Sequence, residues 1–283
     1  MTDLITDKRL SFEFFPAKTE QGLNKLRGVW EQLSKLNPEF FSITYGAGGS
    51  TRETTFDIVS EFCRGAADVA PHLSFGGDNE EAMLAFLQQY ADLGIKRIVA
   101  LRGDTPSGIG TSKQLVHANE LVSFICKHFA EQFEIEVAAY PEVHPESNSY
   151  HDDVHYLKAK IDAGASASIT QLFYNADAYF YYVEECQRQG MDAPIYPGIM
   201  PITNFKNISR FATKSGFDVP RWMRHRFEPV QDDPQATTKL GIEVVSRLCE
   251  QLLQGGAPGI HFYTMNTTEP TTEICGNLGW TVS

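Results

Sequence analysis

Asn79-Glu80-Glu81 opens a stretch of helical period that runs to Leu93, and Arg97-Ile98-Val99-Ala100-Leu101-Arg102-Gly103-Asp104 follows as a nearly continuous apolar run ending in charge. Asn79 is a candidate cap, and two glutamates suit a helix N-terminus. The run that follows has strand length. Its continuous apolar character marks a strand covered on both faces. A helix feeding a doubly covered strand belongs to a crossover unit, and such units build parallel sheets.

The same alternation extends in both directions. Strands are predicted at 10–16, 40–46, 73–76, 97–104, 136–142, 168–173, 195–201 and 259–265. Amphipathic segments lie at 19–35, 79–93, 152–163, 176–189 and 237–253. In the first, Leu23, Leu26, Trp30 and Leu33 share one face; Gly164, Gly190 and Gly255-Gly256 stand where helices should stop. Strand then helix recurs about eight times over roughly 250 residues, which predicts an α/β chain folded as a (β/α)8 TIM barrel. The expectation is one barrel domain over 1–283. A doubly wound open sheet is the alternative. It fits less well, because no G-x-G-x-x-G follows the first strand. The nearest glycine cluster, Gly46-Ala47-Gly48-Gly49, follows the second and reads as a tight βα turn.

Composition narrows the partners. The chain has 283 residues, 42% of them hydrophobic, and 24 Lys plus Arg against 36 Asp plus Glu give a net charge of −12. Such a surface repels phosphate backbones, so no nucleic-acid partner is expected. The densest basic run, Arg221, Arg224, His225 and Arg226, reads as a solvated helix face. No apolar stretch is long enough to predict a transmembrane helix. Met1-Thr2-Asp3-Leu4 lacks a signal pattern, and the five scattered cysteines read as reduced thiols, so a cytoplasmic location is expected.

In a barrel the chemistry belongs at the C-terminal strand ends. Strand one carries Phe12-Glu13-Phe14-Phe15-Pro16. A carboxyl between phenylalanines is either a structural ion pair or an acid whose pKa burial has raised so that it can donate a proton. Strand two ends in Thr44-Tyr45-Gly46, strand four in Arg102-Gly103-Asp104, strand five in Tyr140-Pro141-Glu142-Val143-His144, and strand six holds Thr170-Gln171. A buried glutamine amide needs partners at both ends, which favours a polar ligand or a network. Glu142, His144 and Glu146 have alternating spacing and form the best metal-ligand pattern, a weak one. Lys96 stands at the wrong end of its strand for a Schiff base, and no G-x-S-x-G occurs. The rim suits a large planar cofactor and a planar substrate; periodicity goes no further.

The strand ends taken together go further. The segments 12–19, 44–51, 100–104, 138–145, 162–165, 169–171, 197–202 and 261–264 resemble, in order, the methylenetetrahydrofolate reductases. The length resembles the short bacterial type, with a catalytic barrel and no regulatory domain. The resemblance implies FAD, reduced by NADH or NADPH, passing hydride to methylenetetrahydrofolate to give methyltetrahydrofolate, with no metal, in one-carbon metabolism and methionine supply. It also implies a homo-oligomer. Matched by position, Glu13 looks like the general acid and Asp104 like the carboxylate beside flavin and pterin. Thr44, Tyr45, Ala47, His72, Arg102, Gly103, Asp104, Ala118, Tyr140, His144, Asp153 and Lys160 look like FAD contacts. Gln171 and Phe211, with Glu13 and Asp104, look like substrate contacts.

The chain departs from the family pattern at several positions. Leu73-Ser74-Phe75-Gly76-Gly77 replaces a usual Leu-Thr-Cys, His117 a usual Tyr, and Tyr156 a usual Asn. Asn266-Thr267 replaces Asn-Arg, which removes a cation expected near the anionic tail of the substrate. Two other classes remain on the sequence: a metal-dependent barrel hydrolase using Glu142 and His144, and a non-catalytic flavin- or folate-binding barrel. Retention of both Glu13 and Asp104 favours the reductase.

Overall fold

A computed structural model describes residues 4–45, 52–65, 68–75, 79–102 and 117–281. The strands are β1 (Arg9–Phe14), β2 (Phe40–Ile43), β3 (Val69–Leu73), β4 (Arg97–Ala100), β5 (Glu134–Ala139), β6 (Ala167–Thr170), β7 (Ile195–Tyr196), β8 (Gly198–Ile199) and β9 (Gly259–Tyr263). All pair in parallel, in the order β7-β6-β5-β4-β3-β2-β1-β9-β8. Only Pro197 separates β7 from β8 along the chain, so one stave closes the ring from both sides. Proline has no N–H for the ladder, which explains the break. Its carbonyl still accepts from His261 N at 3.0 Å. The chain is an α/β barrel, as the alternation predicts, with one of its eight staves split.

The helices are α1 (Glu20–Ser34), α2 (Arg52–Arg64), α3 (Glu80–Asp92), α4 (Ala118–Phe129), α5 (Tyr150–Asp162), α6 (Ala176–Arg188), α7 (Phe205–Ser215), α8 (Arg221–Phe227), α9 (Pro234–Gln254) and α10 (Thr271–Leu278). Caps set several starts. Thr19 Oγ1 accepts from Gly22 N at 3.1 Å, Asn79 Oδ1 from Ala82 N at 2.8 Å, and Ser149 Oγ from Asp152 N at 3.2 Å. The Ser149 cap starts α5 two residues before the expected 152. The third strand lies four residues upstream of the predicted 73–76, with Pro71, a residue that interrupts a strand pattern, inside it.

Strand alternation sorts the barrel into outside and inside. Leu10, Phe12 and Phe14 join the main core with Leu26, Leu33, Phe41, Ile43 and Phe62, between strands and helices. Each fully buried side chain of this size contributes roughly 1.5–3 kcal/mol. The residues between them, Arg9, Ser11 and Glu13, fall on the other face. A small apolar layer of Phe40, Ala70, Val99 and Ile169 fills the barrel's middle. Below it, Glu136 accepts from Arg9 Nη2 and Arg97 Nη1, both at 2.8 Å. Arg97 also reaches Glu39 at 2.7 Å, and the Arg9 guanidinium lies 3.2 Å from the Tyr196 ring centroid. This charged plug closes the N-terminal end.

Among the described residues no helix is long and apolar enough to cross a membrane. All five cysteines are free. The basic run falls on α8, where Met223 and Phe227 are buried and Arg221, Arg224, His225 and Arg226 face solvent.

Candidate active site

Glu13 stands at the C-terminal end of β1 with its side chain 18% exposed. Its Oε2 lies 3.3 Å from His72 Nε2, on β3, and 3.7 Å from His261 Nε2, on β9. Both imidazole nitrogens are buried without hydrogen-bond geometry to any protein group. Behind His261, Ser11 Oγ lies 2.8 Å from Nδ1. The sequence left Glu13 as either an ion-paired carboxylate or an acid raised by burial, and the raised pKa of the second reading is corrected. Burial does pull upward, but the charge of His72 and the side-chain interactions with His261 and His72 outweigh it and hold the carboxyl at about 2. Two histidines from distant segments, which the Phe-Glu-Phe context does not reveal, reverse the sign. Part of the downward pull is imidazolium charge and part is the approach of the imidazole N–H groups, which neutral rings also supply.

Above this cluster opens a cavity of about 550 Å³ at the C-terminal strand ends. Val99, Leu101, Ala138, Ile169 and Met200 give it apolar walls, and Tyr45, Tyr140, Tyr263 and Phe211 give it aromatic ones. Thr44, His72 and Gln171 contribute polar groups. Gln171 Oε1 accepts from Leu172 N at 2.8 Å, which fixes the amide. Phe211, on α7, is 39% exposed and packs against Phe217. The segment after β9 pins the end of β1. Thr264 Oγ1 donates to Glu13 O at 2.8 Å, and Asn266 bridges Phe15 through N–H to Oδ1 (3.0 Å) and Nδ2 to O (2.8 Å). Gly198 lets Tyr263 cross the split stave, since a Cβ there would stand 2.2 Å from Thr170 O and 2.5 Å from Tyr263 Oη.

Glu13, Thr44, Tyr45, His72, Tyr140, Gln171 and Phe211 therefore share one cavity. Five other described sites named from the sequence, Arg102, Ala118, His144, Asp153 and Lys160, are not among the residues that line it. Arg102 is exposed and pairs with Glu146 at 2.5 Å. Ala118 is the first residue of α4. His144 stacks edge-on against Tyr140, with centroids 4.5 Å apart. Asp153 accepts from His144 N at 2.6 Å and from Ser147 Oγ at 2.5 Å, so it orders the loop that follows Tyr140. Val143 in that loop has φ of +66°, a costly conformation for a β-branched residue, held by Asp153 on one side and by Glu142 accepting from Asp218 N on the other. Lys160 donates to Ala138 O, and burial pushes its pKa down to about 8 despite Asp153 nearby. Ala47, Gly103 and Asp104 lie outside the described residues.

The metal-ligand pattern does not converge. Glu142 turns to Asp218 N, Glu146 to Arg102, and His144 Nδ1 accepts from Glu146 N at 3.1 Å. Burial pushes the Glu142 pKa up to about 7, with the Asp218 N–H opposing and the Asp218 charge adding. Sequence reasoning missed Ser11, His261, Tyr263 and Met265 as site residues. The available signal was parity, since His261 and Tyr263 are alternate residues of one strand and so face the interior with Glu13.

The family model for methylenetetrahydrofolate reductase matches residues 3–279. The chain is 39% identical over 271 residues to 5,10-methylenetetrahydrofolate reductase of Pectobacterium carotovorum, covering 95% of this chain and 90% of that one. It is 38% identical to the Escherichia coli K12 protein of that name, with the same coverage. It is 36% identical to Methylenetetrahydrofolate reductase (NADH) 1 of Arabidopsis thaliana, covering 95% of this chain and 48% of the plant protein. Among solved structures, a Clostridium thermocellum protein described as binding two copies of 5-methyl-5,6,7,8-tetrahydrofolic acid superposes with a TM-score of 0.63 at 17% identity, over 98% of this chain and 95% of that one. An oxaloacetate acetylhydrolase gives 0.54 at 10% identity, over 98% and 85%. At such identities the likeness is one of fold, whereas the family match spans nearly the whole sequence and carries the strand ends that build the cavity: the chain belongs to the methylenetetrahydrofolate reductase family.

Proposed function

We propose that the chain reduces 5,10-methylenetetrahydrofolate to 5-methyltetrahydrofolate with electrons from NADH or NADPH, by way of FAD. The observation that carries this reading is Glu13, held between two histidines at the floor of an aromatic-walled cavity. The curated bacterial relatives bear the name of that reaction. We further infer that 1–283 works as one catalytic unit, as a cytoplasmic homo-oligomer supplying methyl groups for methionine.

The cavity suits a flavin ring. Its volume falls within the ~300–1,000 Å³ of ordinary ligand sites. Its walls are apolar and aromatic, and His72 Nε2 is a buried polar atom without a hydrogen-bond partner. Thr44, Tyr45, His72 and Tyr140 would hold the group there, with Arg102, Ala118, His144, Asp153, Lys160, Ala47, Gly103 and Asp104 assigned to it by the family pattern. When bound, FAD supplies a two-electron relay from the nicotinamide to the folate. Glu13, ionised at rest, would take up a proton from solvent as the folate enters and give it from Oε2 to a bridging nitrogen; the C–N bond would then open to an iminium ready for hydride. Gln171 and Phe211 orient whichever substrate is present. Asp104 stabilises the cation; Asp104→Asn should raise the flavin midpoint potential while slowing folate reduction, and an unchanged midpoint in a folded variant would count against this role.

One cavity cannot seat two large planar substrates together, so the nicotinamide should leave before the folate enters. Anaerobic NADH should bleach the flavin bands of the purified protein, and methylenetetrahydrofolate should restore them. Parallel lines in double-reciprocal plots should accompany this. A colourless protein unable to take up FAD would reject the reading, and intersecting lines would reject the shared cavity.

A further inference from the structure

We propose that His261, oriented by Ser11, is the positioning residue that sets whether Glu13 carries its proton. The inference rests on the functional reading above and adds to it a group with no direct access to the cavity. His261 is 0% exposed and cannot touch a substrate held there. Its two ring nitrogens nevertheless connect a fully buried hydroxyl, at 2.8 Å, to the Glu13 carboxylate, at 3.7 Å. A neutral imidazole donates from one nitrogen and accepts at the other. When Ser11 donates to Nδ1, Nε2 carries the hydrogen and faces a Glu13 carboxylate. When Ser11 instead accepts from Nδ1–H, Nε2 offers a lone pair, and Glu13 must carry the proton to meet it. Rotation of the hydroxyl moves no ring proton, so the resting ring stays in the first state, where Ser11, by donating to Nδ1, keeps the Nε2–H turned toward the Glu13 carboxylate.

The surroundings favour a neutral ring. Burial pushes the His261 imidazolium pKa down, while Glu13 and Glu136 oppose and Arg9 adds to the fall. The other groups facing the cluster are His72 on β3, with Nε2 3.3 Å from Glu13, and Tyr263 on β9, with its ring 5.5 Å from His261. Tyr263 is committed to Thr170 O at 2.6 Å, and burial raises its pKa well above the usual value, so it stays neutral. Arg9 and Glu136 are paired with each other at the far end. His72 thus lies at the cavity wall, where ligands contact it, while His261 is sealed behind and answers only to Ser11 and Glu13.

The test uses nitrogen-15 histidine spectra and rapid kinetics on the full chain with its flavin. The sequence has eight histidines, and His261→Phe assigns the resonance. In the ligand-free protein His261 should remain neutral from pH 5.5 to 8.5, as the Nε2–H tautomer. An imidazolium that titrates in this range would overturn the proposal. In His261→Phe the carboxylate loses the N–H dipole 3.7 Å away that favours its charged form, so the pH at which folate reduction falls to half should move up by about one unit. Reduction of flavin by NADH should be unaffected, and His261→Gln, which restores an N–H, should bring the profile back. Ser11→Ala removes one oxygen and spares the ring. It should mix the tautomers and move the profile the same way by a smaller amount. An unchanged profile in Ser11→Ala, or equal loss in both half-reactions, would overturn the relay. Failure of the parent protein to reduce folate would instead reject the functional reading and leave the tautomer measurement standing.

Discussion

Glu136 and Glu13 both point into the barrel, at opposite ends, and their surroundings differ in kind. Glu136 is completely buried, and each of its oxygens accepts from an arginine at 2.8 Å. Glu13 has two histidines at 3.3 and 3.7 Å, neither in hydrogen-bond geometry, and a cavity of about 550 Å³ above it. The first arrangement is closed and the second leaves polar capacity for something else to fill. A buried carboxylate is retained at a cost unless it is paired. The N-terminal end meets that cost with arginines, and the C-terminal end leaves it open where a substrate can use it. Strand alternation puts polar groups inside at both ends; only their partners distinguish structure from chemistry.

The comparison can be broken first at the closed end. Glu136→Gln leaves two buried arginines without their shared carboxylate and should cost roughly 3–5 kcal/mol of stability. Guanidinium unfolding measures this, and a loss below about 1 kcal/mol would mean that the plug is not structural.

A smaller effect is expected at Glu142, beside the cavity. Its folded pKa of about 7 lies above the ~4.3 of an unfolded glutamate. Between those values the folded state holds a proton that the unfolded state has lost. The contribution is therefore complete at low pH and disappears as pH rises through 7. Glu142→Gln should flatten the decline in stability from pH 5 to 8 and gain on the order of 1 kcal/mol at pH 8, after allowance for partial exposure. An unchanged slope would show that the carboxyl titrates normally. The smallest effect belongs to the exposed Arg102–Glu146 pair. Glu146→Gln should leave the melting temperature unchanged within error, and a clear drop would show that this pair anchors the rim.

The barrel was legible because period and length speak for whole elements. Its deviations came from single residues. Pro71 hid the start of β3, and Pro197 split a stave that reads as one continuous run. Glu13 was legible as a carboxyl between phenylalanines, but the direction of its pKa was not. That direction depends on His72 and His261, which only the closed barrel brings to it. The charged plug was equally hidden, since Arg9, Arg97 and Glu136 lie at strand entries where charge reads as solvated. The family pattern does not reveal that Asp153 also orders the loop after Tyr140 or that Lys160 also reaches the Ala138 carbonyl, because both contacts need the folded backbone.

If the open end of the barrel does proton chemistry on the folate and not on the nicotinamide, the two half-reactions respond differently to loss of the Glu13 carboxyl. Stopped-flow absorbance of Glu13→Gln, followed separately through reduction by NADH and reoxidation by methylenetetrahydrofolate, tests it most directly. Reduction should be normal and reoxidation slowed by roughly 10²–10⁴-fold. Equal slowing of both half-reactions, or reoxidation at the parent rate, would contradict it.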